Sequence, residues 1–296
     1  MLINNATLQA LRTGYQTKFQ AGLGSAPDMT APFVTPVSST TKTETYGWLG
    51  DFPIFRKWVG AKRIKSLEER AYQLTNDDYE VSIGIHKFKI ADDNLGLYGP
   101  IMEGIGRDAA KLRPRLVLDA LKAGNTTACY DGQYFFDVDH VINGTTFANN
   151  DTSATVNAWY LMDLSHPLKP IIYQDRMAPQ FVSNVNGNGN NDHLFATGEF
   201  LFGGEARGAA GYSYWQTSYR STATLNAANY EAAKQVMATY TDDNGEPLGI
   251  KPTHIVVGNT NLAAAKNLFA IQNNAAGAGN IYFQELSIID GSLRLP

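Results

Sequence analysis

The chain has 296 residues, a formal net charge of -4 and 44% hydrophobic residues. That suits a globular protein with a sizeable core and argues against a disordered chain or a basic nucleic-acid binder. One cysteine leaves no intramolecular disulfide, no apolar run reaches membrane-span length, and Arg12 and Lys18 interrupt the stretch a secretory signal would need, so a reducing cytoplasm is the expected place of synthesis.

Residues 5 to 22 read as a helix, with Asn5 as cap, Leu8, Leu11, Tyr15 and Phe19 on one face, and Gly22 and Gly24 at its end. Residues 25 to 46 hold Pro27, Pro32 and Pro36 among many Ser and Thr. Proline fixes φ and removes a donor, so this is an extended strap that must lie on another surface. Residues 62 to 90 read as a long β-hairpin: Tyr79, Val81, Ile83 and Ile85 alternate with polar or small residues, and Asn76, Asp77 and Asp78 make the turn. Its charged first arm has little to pack on within its own domain and is expected to lean on a neighbour.

The spacing predicts a helix over 97–112, with Pro100 in its first turn and Ile101, Ile105 and Ala109 at helical intervals. Pro114 breaks it, and a second short helix runs to Gly124. Residues 159 to 183 read as strands broken by prolines, 184 to 192 as a polar turn, and 193 onward as two strands with Gly203, Gly204, Gly208 and Gly211 in the connection. The last third is α/β in style. It has a helix over 224–240 with Leu225, Ala228, Ala232, Val236 and Tyr240 toward a core, the turn DDNGEPLG and the buried strand THIVVG. A helix opened by an Asn or Thr cap and a final strand in YFQELSII follow.

The stretch CYDGQYFFDVDHVING raises the question of chemistry, because Cys129, Asp131, Asp137, Asp139 and His140 bind metals or move protons elsewhere. On a strand Asp137 and Asp139 share a face and His140 points the other way. Asp131-Gly132 is a turn pair, and Tyr134, Phe135 and Phe136 look like core, so a structural turn and short strand is the expected role. The chain has no HExxH, CxxC, EF-hand, GxSxG or Walker pattern. His86, His140, His166, His193 and His254 are scattered; Ser165-His166 reads as a surface turn and His254 as a packed residue. Neither an enzyme nor a bound cofactor or metal is expected.

The blocks TYGWLGDFP (45–53), DDNLGLYGPI (92–101), CYDGQYFFDVDH (129–140), EFLFGGEARGAAGYSYWQ (199–216) and GIKPTHIVV (249–257) resemble the major head subunit of Mu-like phages and prophages, the gpT family. The resemblance implies an α+β tailed-phage major capsid fold with an N-terminal arm, an extended β-hairpin loop, a peripheral domain with a spine helix, and an axial α/β domain. The division it implies is 1–45 arm and strap, 46–92 extended loop, 93–222 peripheral domain and 223–296 axial domain, with 113–154 assignable to either. In that family the DGxxFF block is scaffold.

The implied function is a virion shell of hexamers and pentamers around double-stranded DNA, held without sequence-specific binding or a membrane. The partners would be the chain itself with scaffold, portal and decoration proteins. On this reading Arg63, Lys65, Glu68, Glu69 and Arg70 pair with charges on a neighbour, and Trp48, Phe52, Phe55 and Trp58 are buried interface anchors. A phage-derived compartment enclosing protein cargo would share the fold. A metal-dependent enzyme using Asp137, Asp139 and His140 is the remaining alternative.

Overall fold

The computed structural model describes residues 5–46, 72–92, 96–185, 192–242, 245–273 and 277–296. In chain order the elements are α1 (Asn5–Leu23), β1 (Val34–Ser38), β2 (Thr43–Tyr46), β3 (Tyr72–Thr75), β4 (Asp77–His86), α2 (Lys87–Ala91), α3 (Tyr98–Ala110) and α4 (Leu112–Ala123). Then come β5 (His140–Ile142), β6 (Thr145–Phe147), β7 (Asn150–Asp151), β8 (Trp159–Met162), β9 (Ile171–Ser183), α5 (Asp192–Thr197) and β10 (Glu199–Tyr212). The chain closes with β11 (Ser218–Ser221), α6 (Ala227–Ala238), β12 (His254–Val257), α7 (Asn259–Phe269) and β13 (Ser287–Asp290).

α1 buries the stripe its sequence predicts, with Leu8, Tyr15 and Phe19 all enclosed. Gly22 does not end the helix. It lies inside α1, where an added Cβ would stand 2.0 Å from the Glu103 carbonyl oxygen of α3. Gly106 of α3 answers it, since a Cβ there would stand 2.0 Å from the Phe19 carbonyl oxygen. The two helices therefore touch backbone to backbone, which only glycine permits. The buried face of α3 is Met102 and Gly106, while Ile101 is 46% exposed, so the apolar spacing misplaced that face by one residue. The break before Pro114 is real: α3 gives way to α4 at Lys111, and Pro114 sits buried in the first turn of α4, where no amide partner is needed.

The pair α1 and α3 covers a four-stranded sheet of order β1-β9-β10-β4. The strap lies on this chain's own sheet: Phe33 is fully buried, and β1 runs parallel to β9 with Val34 opposite Ile171. The hairpin expected over 62–90 is not formed as drawn. β3 pairs with β2, whereas β4 pairs with β10 over ten residues. Asn76 between them is buried and is no turn. Its side-chain amide donates to Ser39 Oγ and to the Thr41 carbonyl, and its backbone N–H to Lys42. It ties the junction to the strap while the chain passes from one sheet to another.

Two further strand expectations are corrected. The glycines read as a connection lie inside the single 14-residue strand β10. They are there for space: a Cβ on Gly204 would meet the Phe19 ring at 3.1 Å, and one on Gly211 the Tyr72 hydroxyl at 2.7 Å. β9 runs straight through Pro179, because its ladder to β10 shifts register on both sides of Arg207 and β1 reaches only as far as Asp175. Proline is tolerated at such a bulge beside an open edge.

The second sheet has order β13-β12-β8-β11-β7. Its central strand Trp159–Met162 is buried at every position, as a strand covered on both faces must be. β8 and β11 share this sheet with β12 and β13, so a boundary at residue 222 falls between strands of one sheet. α6 is capped by Asn226, whose side chain accepts from Asn229 N at 2.9 Å. It buries Tyr230, Ala233 and Met237; Ala228 and Ala232 are exposed, contrary to the predicted face. Tyr230 sets that rotation by packing edge-on against Phe269 of α7 at 5.0 Å. α7 is capped by Gly258 and by no Asn or Thr side chain, because a Cβ at 258 would lie 2.1 Å from the Pro296 carbonyl oxygen.

Candidate assembly site

The block 129–149 folds as a knot of side chains on backbone. Asp131 and Gly132 turn the chain, with Gly132 at φ 86° and its N–H on the Cys129 carbonyl. One Asp131 oxygen accepts from Gln133 N at 3.0 Å and from the Cys129 thiol at 3.1 Å; the other is 2.7 Å from His140 Nδ1. His140 is fully buried and stacks on Trp215 at 3.9 Å and 8°. Burial works to raise the Asp131 carboxyl, but the His140 hydrogen bond and charge, with help from Cys129 and Gln133, outweigh it and hold the group below its usual range. Burial, and then the Asp131 charge beside it, pushes the Cys129 thiol far up, which is the opposite of what a nucleophile needs.

The other carboxylates are spent on the backbone or left in solvent. Asp137 accepts from Tyr134 N at 3.2 Å and Val138 N at 2.8 Å, and its own N–H donates to Asn149 Oδ1. Asp139 is exposed, and the strand begins only at His140, so the shared face expected for Asp137 and Asp139 does not exist. Among the described residues no three His, Cys, Asp or Glu side chains stand where they could hold a metal ion. Phe135 and Phe136 are fully buried anchors, stacked on Tyr212 at 4.6 Å and packed against Tyr160 at 5.4 Å; Tyr134 is 47% exposed and is not core. The residues that sequence reasoning missed are Asn149, which bridges Asp137 to the Phe135 and Trp215 carbonyls, and Trp215 itself. No local spacing announces either, since their partners are distant in the chain.

The strands β2 and β3 flank in sequence the other stretch of interest. Tyr46 and Tyr72 face each other at the end of that ladder, and the stretch that joins them is 47–71. Tyr46 donates to Gln174 Oε1 at 2.8 Å, Gln174 Nε2 donates to the Leu74 carbonyl, and Tyr72 OH accepts from Tyr212 N at 3.0 Å. Burial holds the Tyr72 hydroxyl at about 12, so it stays protonated in this clamp. The strap beside it is pinned by Glu44, whose carboxylate accepts from the Thr40 and Thr41 amides and from Ser39, which lowers it to about 2. Trp48, Phe52, Phe55, Trp58, Arg63, Lys65, Glu68, Glu69 and Arg70 all lie outside the described residues. Elsewhere large apolar side chains stand in solvent, among them Phe195 at 96%, Phe88 at 63% and Val141 at 58% exposed. Such groups are costly on a lone chain and mark contact surfaces when they gather.

Two sheets that interleave along the chain with an N-terminal helix on the first are the described frame, and likeness to a solved phage capsid subunit makes it a tailed-phage major capsid fold. The chain matches the subunit in the procapsid of bacteriophage JBD30 with a TM-score of 0.83 and 39% identity, covering 97% of this chain and 99% of that one. The chain belongs to the Mu-like prophage major head subunit gpT family, whose sequence model matches residues 8–293. It is 39% identical to the major capsid protein of Escherichia phage Mu, with 87% of each chain covered, and 36% identical to the Mu-like prophage FluMu major head subunit of Haemophilus influenzae, with 88% of each covered. It is a structural subunit of a phage head, as the sequence resemblance implied. No helix among the described residues is long and apolar enough to cross a membrane.

Proposed function

We propose that copies of this chain form the hexamers and pentamers of an icosahedral shell around double-stranded DNA, with no catalytic activity and no cofactor. The observation that carries this reading is the β2–β3 clamp. Four-residue strands are bound to the body by buried Tyr46 and half-buried Tyr72, and the stretch 47–71 between them is assigned to contact with a neighbour. On this reading Trp48, Phe52, Phe55 and Trp58 anchor that contact, and Arg63, Lys65, Glu68, Glu69 and Arg70 pair with charges across it. Scaffold, portal and decoration proteins are the further partners.

The same proposal keeps 1–45 as arm and strap and 46–92 as extended loop. It assigns to the axial unit, besides 223–296, the strands of 150–162 and 218–221 that share its sheet; the rest of 93–222 is peripheral. The test is electron microscopy with light scattering on the purified chain, alone and with its scaffold. Shells, tubes or rings of five or six subunits are expected, and DNA that resists nuclease in native particles and is digested once they are opened would separate a DNA container from a protein-cargo compartment. A chain that stays small even with its scaffold overturns the reading.

A further inference from the structure

Two of the chain's crossings between the two sheets lie side by side. Residues 163–170 join β8 to β9, and residues 213–217 join β10 to β11. Asp163 N donates to the Thr217 carbonyl at 2.8 Å, and Ser213 N to the Pro170 carbonyl at 2.9 Å. The first crossing is folded onto itself by one cation: Lys169 Nζ donates to the Leu164 carbonyl at 2.6 Å and the His166 carbonyl at 2.9 Å. Its backbone is tied at one end to Thr253 Oγ1, which accepts from Leu164 N, and at the other to Thr35 Oγ1, which accepts from Lys169 N. The Thr253 hydroxyl also lies 2.9 Å from Nδ1 of His254. The histidine thus touches the group that anchors the crossing.

We propose that His254 and the 163–170 crossing form an acid-sensitive joint between the two sheets, in which a proton on His254 opens the clasp made by Lys169. His254 is tied through the Thr253 hydroxyl to the end of the crossing that Lys169 folds, and the Lys169 charge acts on it there, so a second cation repels Lys169 in a half-buried place where screening is weak. Its register partner on β8 is Met162 and its register partner on β13 is Ser287, and neither carries a charge. Within the crossing the carboxylate of Asp163 is engaged by Ser165 N, Ser165 Oγ and Lys251 N, and lies 3.7 Å from His166 Nε2.

Burial, and after it the Lys169 charge, lowers His254 below its ordinary value. The closed joint therefore binds fewer protons than the open one. Its stability is complete above about pH 6.5 and is lost as the pH falls through the lowered value of the folded chain.

Hydrogen exchange of the full chain at about pH 7.5 and about pH 5, corrected for intrinsic rates, reads this directly. Protection of the Leu164 and Lys169 amides should fall about tenfold in acid, while Ile255 and Val256 in the sheet keep theirs. His254→Gln should abolish the fall. Lys169→Met should lower protection at both pH values and remove the difference between them, and it decides the matter alone if the glutamine variant does not fold. An unchanged wild type, or the same acid response in both variants, overturns the joint. These amides report on the joint whether or not the chain assembles, so failure of the shell reading leaves the result standing.

Discussion

Gly104 and Gly106 sit two residues apart on α3 and should respond in opposite ways to one added methyl. A Cβ at 104 meets nothing within 4 Å, whereas one at 106 runs into the Phe19 carbonyl. Gly104→Ala should stabilise the chain by up to about 1 kcal/mol through helix propensity. Gly106→Ala should cost about 1–3 kcal/mol through overpacking between helices whose backbones cannot separate without losing Tyr15 and Phe19. Urea unfolding of the two variants checks both signs. Asp131→Asn should cost about 2 kcal/mol at neutral pH, because it removes the ionised acceptor of a buried histidine. The depressed carboxyl means that this contribution is full above about pH 4 and lost as the pH falls through the folded value, so wild type and variant should converge in acid thermal melts. Cys129, Asp131 and His140 were visible in the sequence as reactive types, but their use as a brace depends on Trp215 and Asn149, which arrive from elsewhere in the chain.

At the scale of elements, what was legible was local. The apolar stripe of α1, the alternation in β4, the break before Pro114, the stop at Gly124 and the buried β12 all follow from period and turn chemistry, and all are present. What failed was partner choice and glycine. β3 reads as the arm of a hairpin with β4 because they adjoin, yet Asn76 sends them to different sheets, and no local signal says that β2 is waiting. The glycines of β10 read as punctuation because the groups that crowd their missing side chains lie on α1, β3, β4 and β9. Gly211→Val tests this: it would drive a branched side chain into the Tyr72 hydroxyl. It should destabilise by about 3 kcal/mol and loosen the β2–β3 clamp first, read as proteolytic nicking near residue 46 before global unfolding.

For the whole molecule, folding and assembly should be separable. Replacing residues 47–71 by Asn-Gly joins Tyr46 to Tyr72 through a two-residue turn that suits their antiparallel ladder. The shortened chain should melt within a few degrees of the parent, about 1 kcal/mol in stability, and form no shells under the microscope. A gentler test reverses Glu68 and Glu69 together to Lys, which should leave the melt unchanged and impair assembly; normal shells would remove those two residues from the contact.

The interleaving of the two sheets bears on synthesis. β1 waits for β9, more than a hundred residues later; β8 waits for β11 and β12, and β12 in turn for β13 at Ser287–Asp290. A ribosome that stalls before β10 therefore releases a chain in which both sheets are unfinished, and one that stalls before β13 leaves Ile255 and Val256 bare along one edge. A chain cut short at either point carries open strand edges, which invite proteolysis and mispairing before any capsomer face is complete. The last strands made are thus the ones that close both sheets, before any neighbour is touched.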